Sequence, residues 1–327
     1  MGSMRSLDEV MWETIRTLQS HGYSVEKIVY PEDPRRRSID IVASRSGGSP
    51  LLVKVVEDAA SLQPREFREL RGCSLLLDAA SLVVADRDGD TELDYMVAHE
   101  RSGVYVVNTE GLEAALDNSI YVVKRQGNYY MRINGERLRE ERTRKGYSLG
   151  DLASLLSVSR RSVYMYEQEE VDVSLSTALK LMEIFGEEVF KPIPILGEKP
   201  EPRRHMLVRH GSPHGDVGKA LEAIARAGGD AVETKRIPPD VVARIGADKM
   251  LIVIERKRER RLEKRVYEAA KVASRVLARV IAITRRSGAS GLEEYGAQVY
   301  RSLEEFASEV ESGEPGEAHE RPIGNSS

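Results

Sequence analysis

The chain has 327 residues, 41% of them hydrophobic and 31% charged, with a formal net charge of −4 at pH 7. That balance predicts two or three folded domains. It excludes a protein that is basic throughout but leaves room for a local basic face. A single cysteine, Cys73, excludes an internal disulfide. No Cys/His spacing suits zinc, and the expected setting is reducing and cytoplasmic. No apolar run reaches the roughly 18 residues of a membrane span, and "MGSMRSLDEV" lacks the apolar stretch of a secretory signal.

Val10, Met11, Ile15 and Leu18 recur at helical spacing, and "SHGYS" stops the helix. Strands follow at "IDIVAS" and "LLVKVV", with "RSGGSP" as the turn between them. A helix is predicted over 64–79, with Cys73 in its core, then strands "SLVVAD" and "GVYVVN", then helix "TEGLEAALD". Helices alternating with strands predict an α/β layer fold over 1–120. "IYVVKRQGNYYMRIN" predicts a hairpin turning at Gln126–Asn128, a connector over 121–134.

Residues 135–191 change to dense helical periodicity. One charged helix, "ERLREERTRK", ends at Gly146. Ser148 and Asp151 then have capping-box spacing ahead of inward Leu152, Ala153 and Leu156. "SVS" makes a turn, and Ser159 caps the next helix. That helix turns Val163 and Tyr166 inward and Arg160, Arg161 and Tyr164 outward. A last helix is expected to bury Leu175, Ala178, Leu179 and Met182.

The words "LREERTRKGYSLGDLASLLSVSRRSVYMYE" and "TALKLMEIFG" resemble a Cro/repressor (XRE) type helix-turn-helix domain. The resemblance implies that the helix beginning at Ser159 enters the major groove of double-stranded DNA. Arg160 and Arg161 then stand at base-contacting positions, with Tyr164 and Met165 a turn later. Arginine matches guanine O6/N7, and a good bidentate pair discriminates by about 1–3 kcal/mol. Ser148, Ser159, Arg142, Arg144 and Lys145 are the expected contacts to the DNA backbone, which position the protein without specifying sequence. Three departures stand out, one being Leu149 in place of a polar residue that often touches phosphate at the start of the second helix. Ser157 occupies the position of the usual turn glycine, costing about 1 kcal/mol if the position needs positive φ. "YEQEEVD" also places Glu167, Glu169, Glu170 and Asp172 where they would repel phosphate.

"PIPILGEKPEPRR" opens a linker expected over 192–206. A second α/β block is expected over 207–312: helix "DVGKALEAIARAGG", strands "AVETKRI", "PDVVARI" and "MLIVIER", a helix over 259–277, strand "RVIAIT", and "GAQVYRSLEEFASEV". Placing Asp40 on Asp240 brings Leu51 onto Leu251 and Val53 onto Val253 without a gap, the pattern of an internal duplication. The tail over 313–327 has no periodicity and is expected to be disordered.

The order of elements in both blocks resembles the PD-(D/E)xK nuclease fold, which implies two carboxylates holding Mg²⁺ and a lysine activating water. Asp240, Glu255 and Lys257 fit those letters, with Glu255 and Lys257 on one strand face. In the first block Asp40 and Lys54 remain, but Leu52 takes the place of the acid, so that site should be inactive. Lys257 also belongs to a run with seven basic residues and two acids between Arg256 and Arg265, which reads as a solvated or phosphate-facing surface. His205, His210 and His214 read as surface residues, no phosphate loop is complete, and no metal site is expected.

The expected architecture is therefore α/β plus all-α: two restriction-endonuclease-like domains flanking a Cro-type helix-turn-helix. The whole order resembles a family of archaeal predicted HTH-type transcriptional regulators. That resemblance implies a sequence-specific DNA-binding regulator, not an enzyme. It would be a cytoplasmic, nucleoid-associated homodimer without cofactor, its effector unspecified. A Mg²⁺-dependent nuclease and an antitoxin-like DNA-binding partner are the alternatives.

Overall fold

The computed structural model describes residues 5–197, 215–285 and 290–312. Part of the expected linker, the three histidines His205, His210 and His214, and the tail lie outside the described residues. By its internal contacts the chain forms two compact units. One comprises residues 1–25, 43–71 and 80–200; the other comprises 26–42, 72–79 and 201–327.

Helix α1 (Leu7–Ser20) starts at a capping box between Ser6 and Glu9 and buries Val10, Met11, Ile15 and Leu18. Strands β1 (Ser24–Lys27) and β2 (Ile41–Ser44) precede β3 (Leu51–Val55), every residue of which is buried. After α2 (Pro64–Leu76), strand β4 (Ala80–Val84) runs parallel to β3. A short hairpin of β5 (Arg87–Asp88) and β6 (Thr91–Glu92) leads to β7 (Val97–Arg101) and β8 (Val104–Val107). Strand β8 is parallel to β4 and antiparallel to β7. Helix α3 (Thr109–Leu116) follows, capped by Asn108. Parallel strands covered on both faces read as continuous apolar runs, so β3, β4 and β8 are visible in the sequence. The mixed composition of β7, "VAHER", hides it.

The hairpin expected as a connector is built into this sheet. Strand β9 (Val122–Arg125) pairs in parallel with β7, from Val97↔Val122 to Glu100↔Arg125. It turns at Gln126 and Gly127, with φ of 49° and 83°, into β10 (Asn128–Ile133). Four helices follow: α4 (Gly135–Arg144), α5 (Leu149–Leu156), α6 (Arg160–Glu167) and α7 (Leu175–Phe185). Strand β11 (Val173–Ser174), between α6 and α7, and strand β12 (Phe190–Lys191), after α7, pair with β10. The helices are thus attached to β10 by β pairing at two places.

Leu138, Leu152, Ala153, Leu156, Val163 and Tyr166 form the helical core with Met131 and Ile133 of β10. Helix α7 buries Ala178 as expected and packs Leu175 and Met182 against the core, but Leu179 is 52% exposed, and Thr177, Leu181 and Phe185 are buried as well. Contact with β10 centres the buried stripe on Ala178, Leu181 and Phe185.

The second unit holds α8 (Asp216–Arg226), β13 (Asp230–Glu233), β14 (Val241–Ile245), β15 (Asp248–Ile254), α9 (Leu262–Val276), β16 (Arg279–Ile283), α10 (Ser290–Glu293), β17 (Ala297–Tyr300) and α11 (Leu303–Ser312). Its sheet runs β13-β14-β15-β16-β17, antiparallel as far as β15 and parallel from there on. Segment 26–42 of this unit lies along one stripe of α9. Lys264 pairs with Glu32 at 2.9 Å, Glu268 accepts the Val29 N–H at 2.7 Å, and Arg275 pairs with Glu26 at 2.8 Å. Residues 264, 268, 271 and 275 recur at helical spacing, so part of the charged helix faces protein rather than water.

Candidate nucleic-acid interface

The turn between α5 and α6 is fixed by local chemistry. The Ser148 hydroxyl accepts the Asp151 N–H at 3.1 Å, and the Asp151 carboxylate accepts the Ser148 N–H at 2.8 Å. Hydrogen bonds from Ser148 and the nearby charge of Arg160 hold the Asp151 carboxyl below its ordinary value. Ser157 closes α5 in the left-handed region, φ 60°, at the position where the sequence departs from the usual glycine. Lys180 of α7 donates to the Leu156 carbonyl at 3.1 Å and to the Ser157 hydroxyl at 3.3 Å, bracing this turn. The Ser159 hydroxyl accepts the Ser162 N–H at 3.0 Å and starts α6.

Helix α6 is two-faced. Val163 is fully buried and Tyr166 nearly so, whereas Arg160, Arg161 and Tyr164 are exposed and Met165 is half-buried. The Arg160 side chain lies beside the first turn of α5, its Nε 3.6 Å from where a Cβ on Gly150 would stand. The starts of α5 and α6 therefore meet at Ser148, Gly150 and Arg160.

The arginines of this segment are of two kinds. Between residues 121 and 191, Arg125 and Arg132 pair with Asp172, Arg137 with Glu140, Arg139 and Arg142 with Glu167, and Arg144 with Glu141. Among the described residues, no hydrogen bond or ion pair engages Arg160 or Arg161. Six guanidiniums are paired with carboxylates of the protein, and two face outward from the first turn of one helix.

The expected backbone contacts divide in the same way. Ser148 and Ser159 are exposed caps on the open side. Arg142 is mostly buried, donating to Glu167 at 2.5 Å and to the Tyr147 carbonyl at 2.8 Å. Arg144 is exposed but holds Glu141, and Lys145 donates to the Ile184 carbonyl at the end of α7. The acids expected to repel phosphate are largely accounted for. Glu167 ends α6 with its side chain 2% exposed between Arg139 and Arg142, Glu169 pairs with Lys191 and accepts the Gly135 N–H, and Asp172 bridges two arginines. Glu170 stays exposed, and the sequence positions of Glu167 and Asp172 near α6 concealed that these two are paired and mostly buried. Lys180, absent from the sequence-based set, carried no signal beyond its charge.

The candidate catalytic set does not assemble in the second unit. Asp240 is buried, yet its carboxylate accepts the Ile254 N–H at 2.8 Å, Arg256 at 2.8 Å, and the fully buried Arg265. Arg265 also pairs with Glu259 at 3.0 Å. Strand β15 ends at Ile254, so Glu255 and Lys257 lie beyond it rather than on one strand face. Glu255 is half-buried and accepts the Thr284 hydroxyl at 2.5 Å, whereas Lys257 is exposed in a turn. With two guanidiniums on Asp240, these residues do not fit a divalent cation. In the first block, Leu52 is wholly buried at the acid's place.

Comparison with known proteins finds two family matches on the chain. The family described as "PD-(D/E)XK superfamily domain" matches residues 7–122, and the family described as "Helix-turn-helix" matches residues 138–190. A protein of Aeropyrum pernix named "Putative HTH-type transcriptional regulatory protein" is 33% identical over 264 residues, 77% of this chain and 78% of that one. One of the same name from Pyrococcus furiosus is 33% identical, covering 70% and 71%, and one from Saccharolobus solfataricus is 28% identical, covering 76% and 78%. No solved structure matches.

Proposed function

The chain belongs to the family of archaeal HTH-type transcriptional regulatory proteins, and we propose that it is a sequence-specific DNA-binding regulator that reads the major groove with α6. The observation that carries this is the pair of unpartnered guanidiniums, Arg160 and Arg161, on the exposed first turn of α6. An exposed arginine in a domain rich in carboxylates is stabilised by a nearby acid wherever one is within reach. Neither has a hydrogen-bonded acid, Arg160 feeling only the nearby charge of Asp151, and their helix is held from below by Val163 and Tyr166. A rigid amphipathic helix with two free forks at its N-terminal end suits guanine edges.

Ser148 and Ser159 place hydroxyls and helix N-termini at the same side, where phosphate is favoured. Two copies would read half-sites about one helical turn apart. The α/β parts act as scaffold and not as nuclease, because arginine occupies Asp240 in one block and Leu52 replaces the acid in the other. No described helix is long and apolar enough to cross a membrane, and we place the protein with DNA in the cytoplasm.

The test is selection of bound sequences from a random duplex pool by the wild type and by Arg160→Ala/Arg161→Ala. A motif with guanines that relaxes in the double variant supports the proposal. A wild type that enriches no motif, or a variant that enriches the same one, sinks it. The nuclease alternative predicts Mg²⁺-dependent cutting abolished by Glu255→Ala; the expected result is no cutting by either protein.

A further inference from the structure

The second unit repeats the arginine division at a different place. Between residues 215 and 312, lysines and arginines are paired almost throughout: Arg226 with Glu311, Arg244 and Lys249 with Asp78, Arg279 with Asp248, Lys264 and Arg261 with Glu32. Among the described residues of that range, only Lys257, Arg258, Arg260 and Arg285 have no hydrogen-bond or ion-pair partner, and all four are exposed.

They also share one edge. Strands β15 and β16 run parallel with Ile254 opposite Ile283, and the Glu255 N–H donates to the Ile283 carbonyl at 2.9 Å. The turn carrying Lys257, Arg258 and Arg260 and the residue Arg285 therefore leave the sheet side by side, at the carboxyl ends of its parallel strands. Ligands of open α/β sheets sit at that edge. The acids close by are already neutralised: Asp240 by Arg256 and Arg265, Glu259 by Arg265. Glu255, half-buried, accepts the Thr284 hydroxyl at 2.5 Å, so the four exposed cations outnumber the nearby carboxylates that no cation holds.

We propose that this edge is a second DNA-binding surface, one that grips phosphates without reading bases or cutting. Four cations set side by side repel one another unless a polyanion lies against them. Their flexible exposed side chains suit the regular spacing of backbone phosphates rather than one fixed anion. Coupled to the helix-turn-helix in the same chain, the edge raises affinity for any duplex and leaves sequence choice to α6.

The test uses the full-length protein and a labelled 30-base-pair duplex of random sequence, with binding followed by fluorescence anisotropy from low to moderate salt. Each phosphate that the protein no longer neutralises lowers the slope of log K against log salt by about 0.9. The variant Lys257→Gln/Arg258→Gln/Arg260→Gln/Arg285→Gln should show a slope shallower by roughly two units or more and bind roughly tenfold or more weakly at low salt. Its preferred motif should be unchanged. Arg258→Lys/Arg260→Lys/Arg285→Lys keeps the charge and should keep the slope. Arg160→Ala/Arg161→Ala should do the reverse of the glutamine variant, relaxing motif preference, so failure of either proposal is seen independently of the other. An unchanged slope in a glutamine variant of wild-type circular dichroism overturns the inference. So does a glutamine variant that binds duplex as the wild type does but no longer binds polyglutamate, which would assign the edge to an acidic protein.

Discussion

The Arg142 guanidinium and the Glu167 carboxylate meet at 2.5 Å, joining α4 to the last residue of α6, with side chains only 13% and 2% exposed. Glu167 cannot be solvated in that position, and Arg139 adds a second cation at 3.2 Å. The pair fixes the far end of the helix whose near end presents Arg160 and Arg161. Glu167→Ala should destabilise the protein by about 2–4 kcal/mol, because Arg142, only 13% exposed, loses its acid in a mostly buried place. Denaturant unfolding followed by circular dichroism measures this. A loss under about 0.5 kcal/mol would mean that the pair is ornamental.

Ser157 should behave in the opposite sense. Its φ of 60° is strained for a residue with a Cβ, and the only side-chain bond at stake is an exposed one from Lys180, which keeps the Leu156 carbonyl. Ser157→Gly should therefore stabilise the domain by about 0.5–1 kcal/mol. Thermal unfolding gives the sign, and a lower melting temperature contradicts the strain account.

Arg265 is wholly buried and ties Asp240 and Glu259 to the carbonyls of Pro238 and Ile254. Removing it by Arg265→Ala leaves two carboxylates without their shared cation and should cost about 3–5 kcal/mol. Arg265→Met with Asp240→Asn should recover part of that loss, since the buried position 240 then carries no charge that Arg256 alone must balance. Equal melting temperatures for the two variants would show that charge pairing is not what holds this cluster.

Acid should weaken the sheet through His99. Its ring is buried on β7, 3.5 Å from Asp88. Burial pushes its pKa below the ordinary 6.5; Lys124 and Arg101 push the same way, and Asp88 opposes them. The folded protein then binds this proton less readily than the unfolded chain. Stability is complete above about 6.5 and falls as the pH drops toward the lower folded value. The fall in melting temperature between pH 7.5 and pH 5 should be smaller in His99→Gln than in the wild type. An identical fall in both removes His99 as a cause.

Much of the helical segment is written in the sequence, because caps and turns depend on neighbours three or four residues away. Ser148 with Asp151, Ser159 with Ser162, and the inward Val163 and Tyr166 all stand as their spacing predicts. Buried parallel strands announce themselves for a similar local reason. Strand β7 does not, since its partners rather than its own composition make it a strand.

Arg142 and Arg160 have the same side chain and each stands among other arginines, though Glu140 and Glu141 precede only Arg142. The sequence by itself determined that arginines crowd this segment and that α6 carries two at its start. Only the tertiary structure decided which of them are free, since Arg142 finds Glu167 and Asp240 finds Arg265, each 25 positions away along the chain. The exposure of Leu179 on α7 was settled in the same way, by which residues of that helix pack toward β10. Local spacing fixes helices and turns through short-range hydrogen bonds. Which charges are neutralised is fixed by contacts distant in the chain, which no periodicity records.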